Sequence, residues 1–469
     1  MLLGVLGIIV SLLLLITIAY RGVPVIVVAP IAATLCVILS GAPMLASYTE
    51  IFMPAMGNFI KSYFPVFLLG AVFGTLMAAT GYAESIARII SEKLGAKSAI
   101  AATVVTSALM TYGGISIFVV AFVIYPVARE LFRVADIPRR LVPATIALGI
   151  FTFTMTALPG TPQIQNVIPG QFFGTSTYAA PVIGIVGSVG IAGLGLAWLE
   201  FRKRQLIAAG EHFSHVASTP AVDLLAGSSE NADKVLEHTS SKLVPFLPII
   251  TVAVVNFVTV EYVLPSMDFS YLAEEKFGGI ELKDREALWG VMVAILAAIA
   301  LILVMNLTHI NQLAQSVAEG AKKSVMPIFS VASEVGYGAV VASVAAFALI
   351  RDAVFDLGAN ALVTSVLSTS VTAGMTGSSS GGMTIALNAF GEELKQMAVD
   401  EGMSLEIMHR LTAMAAGGID TLPHSGAVIT LLAVCGLTHR QSYKDVGVIT
   451  LIIPVLVVGS LVAAVSVFG

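Results

Sequence analysis

Apolar residues in this chain gather into runs, not into the alternating or one-faced patterns of soluble strands and helices, and the length of the runs decides what they are. Those at 2–20, 24–42, 64–82, 178–200, 243–262, 288–306, 326–348 and 445–468 carry few or no charges. An α-helix rises 1.5 Å per residue, so about 20 apolar residues match the thickness of a bilayer's hydrocarbon core. Each of the eight predicts a membrane-crossing helix. Two further regions, 140–172 and 407–438, are apolar at both ends but interrupted by Leu158-Pro159-Gly160-Thr161-Pro162-Gln163 and by Asp420-Thr421-Leu422-Pro423-His424-Ser425-Gly426. Proline and glycine beside polar groups stop a helix, so each region predicts one crossing with an unwound centre. The last two, 97–133 and 360–398, have arms of roughly 15 to 18 residues, short of a comfortable crossing. Their tips are Tyr112-Gly113-Gly114-Ile115-Ser116 and Thr376-Gly377-Ser378-Ser379-Ser380-Gly381-Gly382. Such arms predict re-entrant hairpins that enter and leave on one face, with two full spans each as the alternative.

The expected fold is therefore an all-α polytopic membrane protein of about ten transmembrane helices plus two hairpins. A constant shift of 264 residues carries Gly113 onto Gly377, Ser116 onto Ser380 and Leu158-Pro159 onto Leu422-Pro423. The same shift superposes the flanking spans, which makes the chain a duplicated unit. Each unit holds five crossings, an odd number, so the second copy is expected upside down relative to the first. The expected organisation is a first inverted repeat at 1–200, a cytoplasmic linker at 201–242 and a second repeat at 243–469. The first run lacks a basic leader region and is expected to be the first helix, not a signal peptide.

Composition sharpens this. Of the 469 residues 57% are hydrophobic and only 11% charged, against about 25% charged in ordinary globular chains, which excludes a soluble protein. A net charge of -5 with no basic stripe excludes a nucleic-acid binder. The longest polar stretch, 201–242, is too short to fold unaided. With loops assigned to alternate faces, 17 of the 24 Lys and Arg residues fall on one face, which the positive-inside rule makes cytoplasmic and which leaves both termini outside. No Arg or Lys is expected near the middle of a span, and Arg410 is counted to a loop of the outer face. Cys36 and Cys435 are isolated in apolar runs and are expected to be packing residues.

Unwound backbone at membrane depth leaves N–H and C=O groups unsatisfied at a cost of several kcal/mol each, so it persists where it lines a cavity or holds a ligand. Four breaks paired by the repeat predict one central site. Half-helix N-termini there can bind an anion without Arg or Lys, and carbonyls and hydroxyls can hold a cation. The candidate ligands are Thr111, Gly113, Gly114 and Ser116 at the first tip, and Thr376, Gly377, Ser378, Ser379 and Ser380 at the second. Thr161, Gln163 and Asn166 flank the first break, Thr421 and Ser425 the second. The plain alternative is small-residue helix packing. Three ionisable residues are expected well inside spans, Glu334, Asp420 and His424, and these are the proton-coupling candidates, because a desolvated carboxylate and an imidazole can both exchange protons near neutral pH. Their alternatives are a neutral hydrogen-bonded acid, a helix cap and a structural imidazole. There is no H-E-x-x-H, no G-x-S-x-G elbow and no Walker motif, so neither an enzyme nor an ATP-driven pump is expected, and no cofactor or metal. An anion channel would need a continuous polar path.

The two broken-helix motifs and the overall length resemble the gluconate:proton symporter family of the ion transporter superfamily. The Thr161-Pro162-Gln163 and His424-Ser425 details look closer to its short-chain hydroxy acid members, such as those for 3-hydroxybutyrate, than to the gluconate permeases proper. The resemblance implies a homodimer in a bacterial inner membrane, with a scaffold part and a moving part, that imports a small hydroxycarboxylate together with protons. Sodium is the alternative coupling ion.

Overall fold

A computed structural model of the chain describes residues 2–20, 23–95, 98–115, 117–213, 243–349, 352–353, 358, 360–423 and 425–468. Ser116, His424 and most of the 201–242 segment lie outside them. Among the described residues all regular structure is helical. The first half runs through α1 (Leu2–Tyr20), α2 (Val25–Ser40), α3 (Met53–Ala79), α4 (Tyr82–Leu94), α5 (Ala99–Tyr112), α6 (Ile117–Val134), α7 (Val142–Ile150), α8 (Ile164–Phe173) and α9 (Pro181–Ala208). The second runs through α10 (Leu247–Val258), α11 (Glu286–Met305), α12 (Ile310–Ser343), α13 (Ala361–Thr376), α14 (Ser379–Asp400), α15 (Leu405–Ile419), α16 (Gly426–Val434), α17 (His439–Gly447) and α18 (Ile453–Phe468).

Among the described residues, six helical stretches are long and apolar enough to cross a bilayer: Met44–Ala79, Pro181–Ala208, Val244–Ser266, Glu286–Met305, Leu307–Ser343 and His439–Val467. The chain is a multi-pass helical membrane protein. The runs at 64–82 and 326–348 turn out to belong to much longer helices. Lys61, Lys322 and Lys323 interrupt the hydropathy there without interrupting the helix, because lysine is a good helix former and these three side chains stay exposed. Three of the long stretches contain a π-helical turn, Tyr48–Phe52, Thr259–Val263 and Val448–Ile452, and each is followed two residues later by a proline, Pro54, Pro265 or Pro454. Proline lacks an N–H and crowds the carbonyl one turn back, and a wider turn accommodates both.

Helices α3 and α12 pack along each other at the centre, with α2 against α12 and α11 against α3. Helix α5 packs on α6 and α7, as α13 packs on α14 and α15. Helix α8 lies on α14, and α16 on α6. Under the 264-residue shift each of these pairings maps onto another or onto itself. The helices leading into the breaks are the most enclosed: every residue of α7 is buried, as is the stretch of α15 from Met408 to Gly418. A helix that is buried on all sides is wrapped by protein, so both breaks lie in the interior.

Candidate functional site

The first break is densely braced. Pro159 and Pro162 have no N–H to offer a helix, and Gly160 turns the chain at φ +76°. Side chains from elsewhere collect the freed carbonyls. Asn166 Nδ2 donates to Thr161 O at 3.0 Å and Thr177 O at 2.9 Å, and Asn256 Nδ2 of α10 donates to Gly160 O at 3.1 Å. Tyr112, at the first hairpin tip, donates its hydroxyl to Pro159 O at 3.0 Å. In return Gln163 Nε2 donates to Thr111 O at 2.7 Å and Ile115 O at 3.3 Å, closing the tip around Gly113 and Gly114. Gly114 sits at φ +86°, where a side chain would be strained.

The central strut of this brace is Arg410, which lies inside the protein on α15 and not in an outer loop. It is 0% exposed. Its Nε donates to Ala179 O at 3.0 Å, Nη1 to Thr156 O at 3.3 Å and Asn166 Oδ1 at 2.7 Å, and Nη2 to Thr177 O at 2.9 Å. His409 beside it pairs with Thr175 Oγ1 at 2.7 Å and Asn166 Oδ1 at 3.3 Å. Both stand at the start of the apolar run of α15. Hydropathy cannot tell a charged residue at a water-facing helix end from one that enters the protein and satisfies backbone carbonyls there.

The second tip is built differently. Helix α13 ends at Thr376, Gly377 turns the chain at φ +66°, and α14 begins at Ser379. Ser378 caps α14, its Oγ accepting from Gly381 N at 3.2 Å. Three side chains from other elements converge on this first turn. Glu334 of α12 has its carboxylate within reach of the Ser378 hydroxyl, in the space a Cβ on Gly381 would need. Asp420, at the end of α15, lies within reach of the Ser379 hydroxyl and backbone N–H. Gln165 Nε2 of α8 donates to Ser379 Oγ at 3.0 Å. Glu334 and Asp420 are each 6% exposed, and Ser379 and Ser380 are buried beside them. Thr376 Oγ1 bonds back to Thr372 O at 2.9 Å, and Thr421 Oγ1 to Thr450 Oγ1 at 2.7 Å.

Over 443 residues the chain is 43% identical to the uncharacterized transporter YxjC of Bacillus subtilis (strain 168), a match covering 92% of this chain and 93% of that protein. The chain belongs to that transporter family. No family model matches it. In a transporter, buried polar atoms that no protein group satisfies are the places to look for a solute, since more than about 90% of buried polar groups in proteins are paired. Seven such atoms lie at the tips and breaks or directly against them: Thr111 Oγ1, Thr161 Oγ1, Gln165 Oε1, Asn256 Oδ1, Glu334 Oε2, Asp420 Oδ1 and Ser425 Oγ have no hydrogen-bond partner among the described residues. Thr161 and Ser425 are equivalent under the 264-residue shift, one in each break. The transporter thus keeps some predicted ligands free and spends others on its own backbone. The Asn166 amide is engaged at both ends, and Gln163 and Thr421 bond to protein. Gln165 was missed from sequence. It lies two residues from Gln163 at the start of α8, yet it reaches the opposite tip.

Proposed function

We propose that the protein is a secondary active transporter that moves a small hydroxycarboxylate with protons by alternating access, through one central site between the two tips and two breaks. The reading rests most heavily on Thr161 and Ser425, two buried hydroxyls without partners at matching places in both breaks. The recurrence of helix pairings under a single shift supports an inverted repeat around that site. Glu334 and Asp420 are the proton carriers in this reading, and Ser378, Ser379, Ser380 and Gln165 the groups around the substrate carboxylate. The inner-membrane location, the outside termini, the homodimer and the hydroxy acid specificity follow from the resemblance to gluconate:proton symporters and from the distribution of basic residues. Uptake into proteoliposomes tests the proposal, with radiolabelled 3-hydroxybutyrate and gluconate as probes. An imposed pH gradient, acid outside, is expected to drive accumulation, with counterflow when the lumen is preloaded. Accumulation driven by a sodium gradient and not by a pH gradient would give the site to sodium, a reading favoured by the free carboxylate oxygens Glu334 Oε2 and Asp420 Oδ1. Linear, non-saturating flux without counterflow would make the protein a channel.

A further inference from the structure

The N-terminal end of a helix carries about half a positive charge and a set of unsatisfied N–H groups, which favours a single anion. At the first turn of α14 two carboxylates already converge. Asp420 lies within reach of the Ser379 hydroxyl and N–H, and Glu334 Oε2 occupies the space beside Gly381 and Ser378. Each is nine-tenths buried or more, and each has an oxygen without a partner. The nearest deeply buried cation on the same helix as Asp420 is Arg410, and four of its hydrogen bonds are spent on the first break. Among the described residues, the other titratable groups facing this end of α15 come from α17: Tyr443, which donates to Thr421 O at 3.0 Å, and His439, whose ring lies near the Pro423 backbone. An arriving substrate carboxylate would bring a third negative charge to half a positive one. Like charges in one desolvated site cannot all be ionised.

We propose that Asp420 and the carboxylate of the transported acid alternate at the first turn of α14, Asp420 giving up its place there when it takes a proton. The inference rests on the carboxylate-transport reading and deepens it. The proton comes from the aqueous phase and resides on Asp420 while the acid is bound. The Ser379 N–H and hydroxyl then turn to the acid, with Gln165 as a neighbouring amide that already holds Ser379. When the acid leaves, Asp420 releases the proton and returns to Ser379. Coupling follows because one set of donors serves two carboxylates in turn. Glu334, held on the Ser378 side, keeps its place throughout.

The test is proton uptake on binding, measured with a pH indicator in weakly buffered micelles of the full chain, with 3-hydroxybutyrate and gluconate as probes. The wild type is expected to take up about one proton per acid bound on the alkaline side of the Asp420 titration, with affinity falling about tenfold per pH unit there. Asp420→Asn is expected to bind the acid with no proton uptake and no pH dependence. Asp420→Ser gives the same readout if the asparagine variant does not fold. Binding by the wild type without proton uptake at any pH overturns the proposal, as does uptake that survives in both Asp420 variants. Uptake lost in Glu334→Gln alone assigns the exchange to Glu334. A wild type that binds neither acid removes the carboxylate reading itself, and this inference with it.

Discussion

The two hairpin tips occupy matching places in the chain and are held by opposite means. The first is closed by neutral groups and one cation: Gln163 holds the carbonyls of Thr111 and Ile115, Tyr112 ties the tip to Pro159, and Arg410 and Asn166 satisfy the carbonyls beyond the break. The second is approached by Glu334 and Asp420, each with an oxygen to spare, and by Gln165. The 264-residue shift makes the asymmetry explicit. Glu334 corresponds to Gly70, and Asp420 to Thr156, whose carbonyl Arg410 holds. One tip has its backbone carbonyls held by side chains and leaves only the Thr111 hydroxyl over, and the other keeps carboxylate acceptors in reserve. On the proposed reading the two halves divide their labour, with one break serving as a fixed abutment and the other as the site where protonation changes something.

The largest effect expected from this contrast is at Arg410. Arg410→Met takes the side-chain donor from the Thr156 and Ala179 carbonyls in a dry interior, at about 1 to 3 kcal/mol each, and removes one donor of several from Thr177 O and Asn166 Oδ1. Thermal unfolding in detergent should show a sharply lowered midpoint, or expression should fail. Arg410→Lys should recover little, since an ammonium cannot match the fork of a guanidinium. If Arg410→Met melts like the wild type and loses only transport, Arg410 is a functional group and the abutment picture is wrong.

Much of this was legible before the structure, and the limits have physical causes. Proline and glycine inside apolar runs marked both breaks and both tips, because few other residues interrupt a buried helix so sharply. The ends of α3 and α12 were not legible, since lysine ends a hydropathy run without ending a helix. Arg410 was misplaced because its partners are mostly backbone carbonyls, and no sequence pattern names a carbonyl. The division between Gln163 and Gln165 was hidden for a related reason. Gln163 is the last extended residue before α8, at φ −69° and ψ 142°, and Gln165 is already helical, so the two side chains leave in different directions.

That pair gives the next test. Gln163→Leu takes the side-chain donor from the Ile115 carbonyl and from the Thr111 carbonyl, which keeps Gly114 N at 3.0 Å, and should cost about 1 to 3 kcal/mol of stability. Gln165→Leu removes an amide that holds Ser379 but has a free Oε1, so its stability should change less, while the KM for the transported acid rises. Equal destabilisation by both, read from thermal melts, would erase the distinction between the tips. The two orphan hydroxyls come next. Thr161→Val and Ser425→Ala remove buried groups that no protein atom satisfies, so stability should stay within about 0.5 kcal/mol of wild type. Each should raise the KM for uptake by about tenfold, the loss of one hydrogen bond of about 1.4 kcal/mol. Normal uptake in both would return them to packing.

The smallest effect is expected where the second tip has a carboxylate and the first has none. At Gly70, in the middle of α3, a Cβ would meet only Gly114 O, at 3.7 Å, an ordinary contact. Gly70→Ala adds helix propensity at no steric cost, so a gain of up to about 1 kcal/mol is expected from thermal unfolding, with transport unchanged. A fixed tip tolerates the extra methyl because nothing needs to slide across it. A moving tip does not: if the first hairpin travels along α3 during the cycle, the methyl will stand in its path, and the maximal transport rate will fall while KM and stability hold. That outcome would turn the braced tip into a moving part whose bonds to Gln163 and Tyr112 break and re-form in every turnover.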